Sequence, residues 1–363
     1  MIIHDDKTGS SGEMVWIEPR TCEAMRIYGF NWLKTDGVYR RLPLASVSEI
    51  NRSCPIINSL AEKTSGGQTH FRTNSKKLLI RAQMKEKPSM SGMTAVAQGG
   101  FDCYAGNDYD HLLFYNTARF ELDKTEYEFT LFENEPSMKL IVINFPLYGG
   151  IEKVLIGLEE GAVLEAPEPL DPGRIVIYGT SITQGGCASR PGLSFTNILS
   201  RRLKSEFLNF GFSGNAFGEI EIARILAKIE NVKMYILDYE ANGGTNGKLA
   251  LTLEPFIKTI REAHPLVPIA VLSRIKYLFD DLHEEMGIRR QGIRQFQIDT
   301  VTKLRNQNDA NLHFIDGSAL LGDDYSEFTV DGIHPNDLGF MKIADGLECA
   351  ITRILDDSRG NEK

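Results

Sequence analysis

The stretch Glu165-Ala-Pro-Glu-Pro-Leu-Asp-Pro-Gly173, followed at once by Arg174-Ile-Val-Ile-Tyr178, divides the chain into halves of different character. Its prolines lock φ and remove backbone donors, which argues against a helix interior or a central strand, so residues 165–173 read as a linker. The short β-branched run that follows has the composition of a strand buried on both faces. Beyond it, strands alternate with helices. Phe195, Ile198, Leu199 and Leu203 fall at helical spacing, then Phe207–Phe212 reads as a strand. Ile222, Ile225, Leu226 and Ile229 mark a helix before the strand Met234–Asp238, and Leu249, Leu253, Phe256, Ile257 and Ile260 one before Pro268–Ser273. A charged helical region then runs to about Asn306, followed by the strand Leu312–Asp316 and a helix from Leu338 to about Ile354. This alternation predicts an α/β unit, a parallel sheet with helices on both faces, whose reactive residues cluster after the carboxyl ends of the strands.

Working upstream, Lys77–Arg81, Tyr127–Phe132 and Lys139–Phe145 are short β-branched and aromatic segments punctuated by Gly66-Gly67, Gly99-Gly100 and Gly149-Gly150. That pattern predicts an antiparallel all-β sandwich. The expected organisation is therefore a sandwich over 1–164, a linker over 165–173 and a catalytic unit over 174–363.

Composition narrows the function. With 42% hydrophobic and 25% charged residues, the chain is ordinary for a globular protein. A net charge of −9 gives it no electrostatic footprint for nucleic acid. The longest apolar stretch, around Leu140 to Ile151, is broken by Asn144, Pro146 and two glycines, so no membrane span is expected. The opening Met1-Ile-Ile-His-Asp-Asp6 carries no basic or apolar leader region, and the five cysteines are scattered without a CxxC. These features predict a cytoplasmic protein without disulfides, metal site or cofactor. No dinucleotide or P-loop glycine pattern follows the first strand of the second half.

Four blocks at the strand ends carry chemistry. Gly179-Thr-Ser181-Ile-Thr183 puts a serine hydroxyl and its backbone N–H at the carboxyl edge, although alone it reads as a Ser/Thr turn or helix cap. Asn209-Phe-Gly-Phe-Ser213-Gly214-Asn215 offers the Gly214 N–H as a close donor, with Ser213 as a rival nucleophile. Asn215 breaks the strict G-x-S-x-G elbow there. Asn242, before Gly243-Gly244, offers an amide to a developing oxyanion, or simply makes a turn. In Asp331-Gly-Ile-His334-Pro335 an aspartate three residues before a histidine curls back onto one ring nitrogen and frees the other for a serine proton. Asp108/His111 and Asp280/His283 share that spacing. The first lies in the sandwich, the second in a charged stretch expected to be solvated, so position selects Asp331/His334. Arg190, Tyr239 and Glu240 lie near the same edge, the two charged residues being expected in solvent.

In this order the four blocks resemble the SGNH (GDSL-type) hydrolases over residues 173–356. The resemblance implies a three-layer α/β/α, flavodoxin-like sheet preceded by a jelly-roll-like sandwich. It also implies Ser181 as nucleophile, His334 as base and acid, and Asp331 as its orienter. The backbone N–H groups of Ser181 and Gly214, with the Asn242 amide, would form the oxyanion hole. Thr180 stands where many members have Asp, and Asn242 lacks the usual preceding Gly and following Asp. The expected activity is a serine esterase acting on a small-molecule or carbohydrate ester, with no nucleic-acid or membrane partner, and a homo-oligomer is compatible with it. An acyltransferase with the same triad, or an inactive carbohydrate-binding protein, are the alternatives.

Overall fold

The computed structural model describes residues 13–360, so the opening residues read for a leader lie outside it. Ten strands build the N-terminal half: β1 (Met14–Ile17), β2 (Arg26–Tyr28), β3 (Gln68–Thr73), β4 (Lys77–Met84), β5 (Asp102–Gly106), β6 (Leu113–Thr117), β7 (Glu126–Glu133), β8 (Lys139–Asn144), β9 (Ile151–Glu159) and β10 (Leu164–Glu165). They pair antiparallel in two sheets, β1-β9-β4-β7 and β10-β3-β8-β5-β6, with β2 also on β3. Period-two patterning drives this packing. In β4 alternate residues Leu78, Ile80, Ala82 and Met84 enter one core with Phe71, Phe101, Ile143, Phe145 and Ile156.

Five parallel strands form the C-terminal sheet: β11 (Asp171–Gly179), β12 (Ser205–Gly211), β13 (Val232–Asp238), β14 (Ile269–Leu272) and β15 (Leu312–Ile315). Their order is β12-β11-β13-β14-β15. Ile175 and Ile177 pack against the helices Phe195–Leu203 and Asp337–Gly360. Val176 and Tyr178 face Ile220–Leu226, Lys248–Ala263 and Glu284–Asn306. Strand order reverses at β11, which opens a crevice at the carboxyl ends of β11 and β13. Among the described residues no helix is long and apolar enough to cross a membrane.

One boundary differs from the sequence reading. β11 starts at Asp171, inside the expected linker, and is an interior strand despite Pro172. The register slips between Asp171 and Arg174, so Pro172 and Gly173 sit in a bulge where the missing N–H breaks no ladder bond. The residues before it are tied down as well, since Arg26 donates to the Pro167 carbonyl at 2.8 Å and Leu170 is buried.

The two halves also share their cores. The segment 42–61, with short helices Val47–Ser53 and Pro55–Leu60, places Leu42, Ile50, Ile57 and Ala61 in the cluster of Phe210, Ile222 and Phe256. On the other face Met93, Ala97, Leu147 and Tyr148 join Ile177 and Phe195. Each buried Leu or Ile contributes roughly 1.5–3 kcal/mol. A fragment starting at Arg174 loses all of these contacts. It is expected to be insoluble, or to melt at least about 10 °C below the full chain, when circular dichroism follows unfolding. A fragment as stable as the whole would show that the shared core adds little.

Candidate active site

β11 ends at Gly179, where a Cβ would meet Thr183 Oγ1 at 2.0 Å and the Asp238 carbonyl at 2.7 Å. Glycine therefore lets the short helix Ser181–Gln184 fold tightly over the strand end. At its first position, Ser181 Oγ lies 2.9 Å from His334 Nε2. The other ring nitrogen, Nδ1, lies 2.8 Å from Asp331 Oδ2. Asp331 Oδ1 accepts from the Ile333 and His334 backbone N–H groups at 3.0 and 2.8 Å, so one carboxylate fixes both turn and imidazole. Gly332, at φ +82°, supplies the left-handed residue this turn requires. Burial acts to raise the Asp331 carboxyl, but those backbone donors and the imidazole outweigh it and hold the group below its ordinary value.

The structure thus brings Ser181, His334 and Asp331 together in hydrogen-bonding sequence. The Ser181 and Gly214 backbone N–H groups have no acceptor among the described residues. Gly214 adopts φ +67° with open space on its Cβ side. Asn242 donates from Nδ2 to the Asn215 carbonyl at 2.5 Å, which anchors its amide to the Gly214 turn and leaves a second N–H. Ser213 makes no hydrogen bond to His334 among the described residues, and its backbone N–H donates to Gln184 Oε1 at 3.0 Å.

Two supporting residues escaped the sequence reading. Gln184 bridges the site to the sandwich: its Nε2 donates to the Leu147 carbonyl at 3.2 Å, and its carbonyl accepts from Ser65 at 2.6 Å. Arg41, fully buried, donates to the carbonyls of Asn209 and Gly211 at 3.1 and 2.6 Å, and to those of Leu60 and Lys63. It pins the strand end that leads into Gly214 from a position with no local sequence signal. For Gln184, the fourth residue of the serine-bearing helix, the spacing from Ser181 was a usable signal.

The matched pairs behave instructively. Asp108 and His111 make similar contacts on a different turn, a 3-10 segment without a left-handed residue. Asp108 Oδ1 accepts the Asp110 and His111 N–H groups and lies 2.7 Å from the ring Nδ1, but no serine meets the other ring nitrogen. Asp280 is buried rather than solvated, taking Arg274 through both oxygens at 2.8 and 2.6 Å. His283 instead stacks on Phe279. Arg190 and Glu240 also depart from the expected solvent exposure. Arg190 reaches across to Asp102 and Tyr104, each at 2.7 Å, and buried Glu240 accepts the Arg274 N–H at 2.8 Å.

Asp238, at the end of β13, is buried beneath the serine-bearing helix and accepts from the Thr183 hydroxyl at 2.6 Å. Burial pushes its carboxyl up to about 7, against the pull of that hydroxyl. An unfolded Asp releases its proton near about 4. Between these values the folded state holds the extra proton, so ionisation destabilises the fold progressively as pH rises, with the full penalty above about 7. Asp238→Asn keeps an acceptor for Thr183 without a charge. Its melting temperature relative to wild type is expected to be several degrees higher at pH 8 than at pH 5, and an equal difference at both would contradict this assignment.

With this geometry in place, the comparisons with known proteins align with the two halves. Residues 173–352 match the profile of the GDSL-like lipase/acylhydrolase family, and residues 14–164 match that of the N-terminus of SGNH-hydrolase-type esterases. The chain belongs to this family of ester-bond hydrolases, in its two-domain form. A Bacteroides ovatus protein described as a GDSL-like lipase is 28% identical, with a TM-score of 0.85 over 95% of this chain and 98% of that one. The salicylyl-acyltransferase SsfX3 of a tetracycline biosynthetic pathway shares the fold at 22% identity and TM-score 0.75, covering 94% and 98% of the two chains. A Clostridium thermocellum family two carbohydrate esterase, solved with cellohexaose, does so at 14% and 0.60, covering 80% and 93%. No curated protein matches the sequence.

Proposed function

We propose that the protein is a serine esterase that removes short acyl groups from a carbohydrate or similar polyol through an acyl-enzyme. The observation that carries this reading is the unbroken chain from Ser181 Oγ through His334 to Asp331, at 2.9 and 2.8 Å. His334 Nε2 takes the Ser181 proton as Oγ bonds to the ester carbonyl carbon, and the carbonyl electron pair moves onto oxygen. That oxyanion meets the N–H groups of Ser181 and Gly214 and the free Asn242 N–H. As the tetrahedral centre collapses, the C–O bond to the alcohol breaks and His334 returns the proton to it. Water then repeats the sequence in reverse and releases the acid. The carbohydrate class draws support from the two-domain fold shared with the cellohexaose-bound esterase.

The test is a fluorophosphonate label together with an ester panel. The wild type is expected to label once, at Ser181, and Ser181→Ala not at all. Acetyl and propionyl esters of polyols should turn over faster than long-chain esters. Acyl transfer to added polyol in place of acid release would make the protein a transferase. Absence of both label and turnover would leave a binding protein. Asn242→Ala is expected to lower kcat by roughly 10²–10³ with a smaller change in KM, as for the loss of one oxyanion donor. A loss of only a few-fold would make the bond to Asn215 its whole role.

A further inference from the structure

A cavity of ≈ 260 Å³ lies between the two halves, next to the proposed oxyanion turn. Ser213, the residue before Gly214, is its contribution from the C-terminal half; Lys63, Glu86, Ser89, Met90 and Tyr148 line it from the N-terminal half. The wall is built. Gln98 Oε1 accepts from the Ser89 and Met90 N–H groups, both at 2.9 Å, and its Nε2 donates to the carbonyls of Met90 and Met93, also at 2.9 Å.

Tyr148 lines this cavity and brings its hydroxyl close to Ser181. It is 8% exposed, and its hydroxyl is buried with no hydrogen-bond partner among the described residues. A Cβ placed on Gly186 would lie 2.8 Å from that hydroxyl and 3.5 Å from Ser181 Cβ, so phenol and serine flank one point. Burial pushes the phenol up to about 12, against the pull of the neighbouring Ser213 side chain, which keeps it a neutral donor. A buried hydroxyl left without a partner is destabilising, and native proteins retain few that no ligand or water completes.

We infer that the N-terminal half supplies the alcohol subsite of the enzyme: the polyhydroxyl part of the ester lies in this cavity, and the Tyr148 hydroxyl donates to one of its oxygens. The inference rests on the reading of Ser181 as an esterase nucleophile. Chemistry selects the ligand class. The cavity offers two ammonium groups, a carboxylate and two serine hydroxyls; Lys63 and Glu86 form an ion pair, and Lys87 stands at the exposed side as a further donor. A ligand with many donors and acceptors matches these polar groups, whereas a short acyl chain would use only the apolar Leu60, Pro88 and Met90.

The experiment compares a mono-acetylated hexose with phenyl acetate on the full chain and on Tyr148→Phe and Met90→Trp. Tyr148→Phe removes no internal hydrogen bond, so its melting temperature is expected to match or exceed that of wild type. Its KM for the acetylhexose should rise at least fivefold, and kcat/KM for that ester should fall at least tenfold more than for phenyl acetate. Met90→Trp, at a position 38% exposed, fills the cavity and should shift selectivity the same way. An unchanged ratio of the two esters in both variants overturns the subsite. So does a lowered melting temperature with unchanged selectivity in Tyr148→Phe, which would make the phenol a structural partner of Ser213. A wild type that cleaves phenyl acetate but no acetylhexose refutes the ligand class alone. A wild type that cleaves neither and takes no fluorophosphonate label refutes the Ser181 reading, and this inference with it.

Discussion

Replacing His334 by alanine is expected to remove nearly all Ser181-dependent turnover, a loss on the order of 10⁶ in kcat like that of other triad histidines. The reason is geometric. The ring nitrogen at 2.9 Å is the only base hydrogen-bonded to Ser181 Oγ among the described residues, and the serine otherwise holds its proton. The two matched pairs serve as internal controls. His111→Ala removes an imidazole that makes the same bond to its own aspartate but faces no serine. His283→Ala removes one stacked on Phe279. Both should stay within a few-fold of wild type in kcat/KM on the same ester. A folded His334→Ala that remains active beside a dead His283→Ala would move the base elsewhere.

Asp331→Asn should lower kcat by on the order of 10⁴, as the corresponding change does in serine-protease triads. The turn explains why so small a change acts so strongly. Asp331 Oδ1 already receives two backbone N–H groups, so the asparagine oxygen is drawn to that position. The new amide nitrogen then faces His334 Nδ1. Two donors cannot share that contact, so Nδ1 gives up its proton to Nε2, the nitrogen that must accept from Ser181. Thermal unfolding should change little, because the turn keeps its backbone bonds. A loss under tenfold, beside an inactive His334→Ala, would assign the orienting role to another group.

How much of this was legible depended on how local each signal is. The parallel sheet was readable because each strand–helix step writes its own periodicity; Ser181, Gly214 and Asn242 follow strand ends closely, and the Asp331–His334 turn lies just before the last helix. Spacing alone could not separate Asp331/His334 from Asp108/His111, in which the aspartate reaches the imidazole in the same way; the serine that distinguishes them comes from a distant strand. Arg41, Tyr148 and the buried states of Glu240 and Asp280 were hidden for a related reason. Each is set by docking of segments far apart in sequence, and charged residue types ordinarily signal solvent. The start of β11 was misjudged because a bulge places Pro172 where its missing donor does no harm.

The core shared between the halves orders events during synthesis. The sandwich finishes emerging first and closes over Phe71, Phe101 and Phe145 with residues already made. Leu42, Ile50 and Ile57 have no such recourse, because the helices that cover them, bearing Ile222 and Phe256, leave the ribosome later. For that interval the nascent chain displays a bare apolar strip on an otherwise folded body. It is the natural point for a chaperone to hold the chain, and the point at which slowed elongation exposes it longest to aggregation.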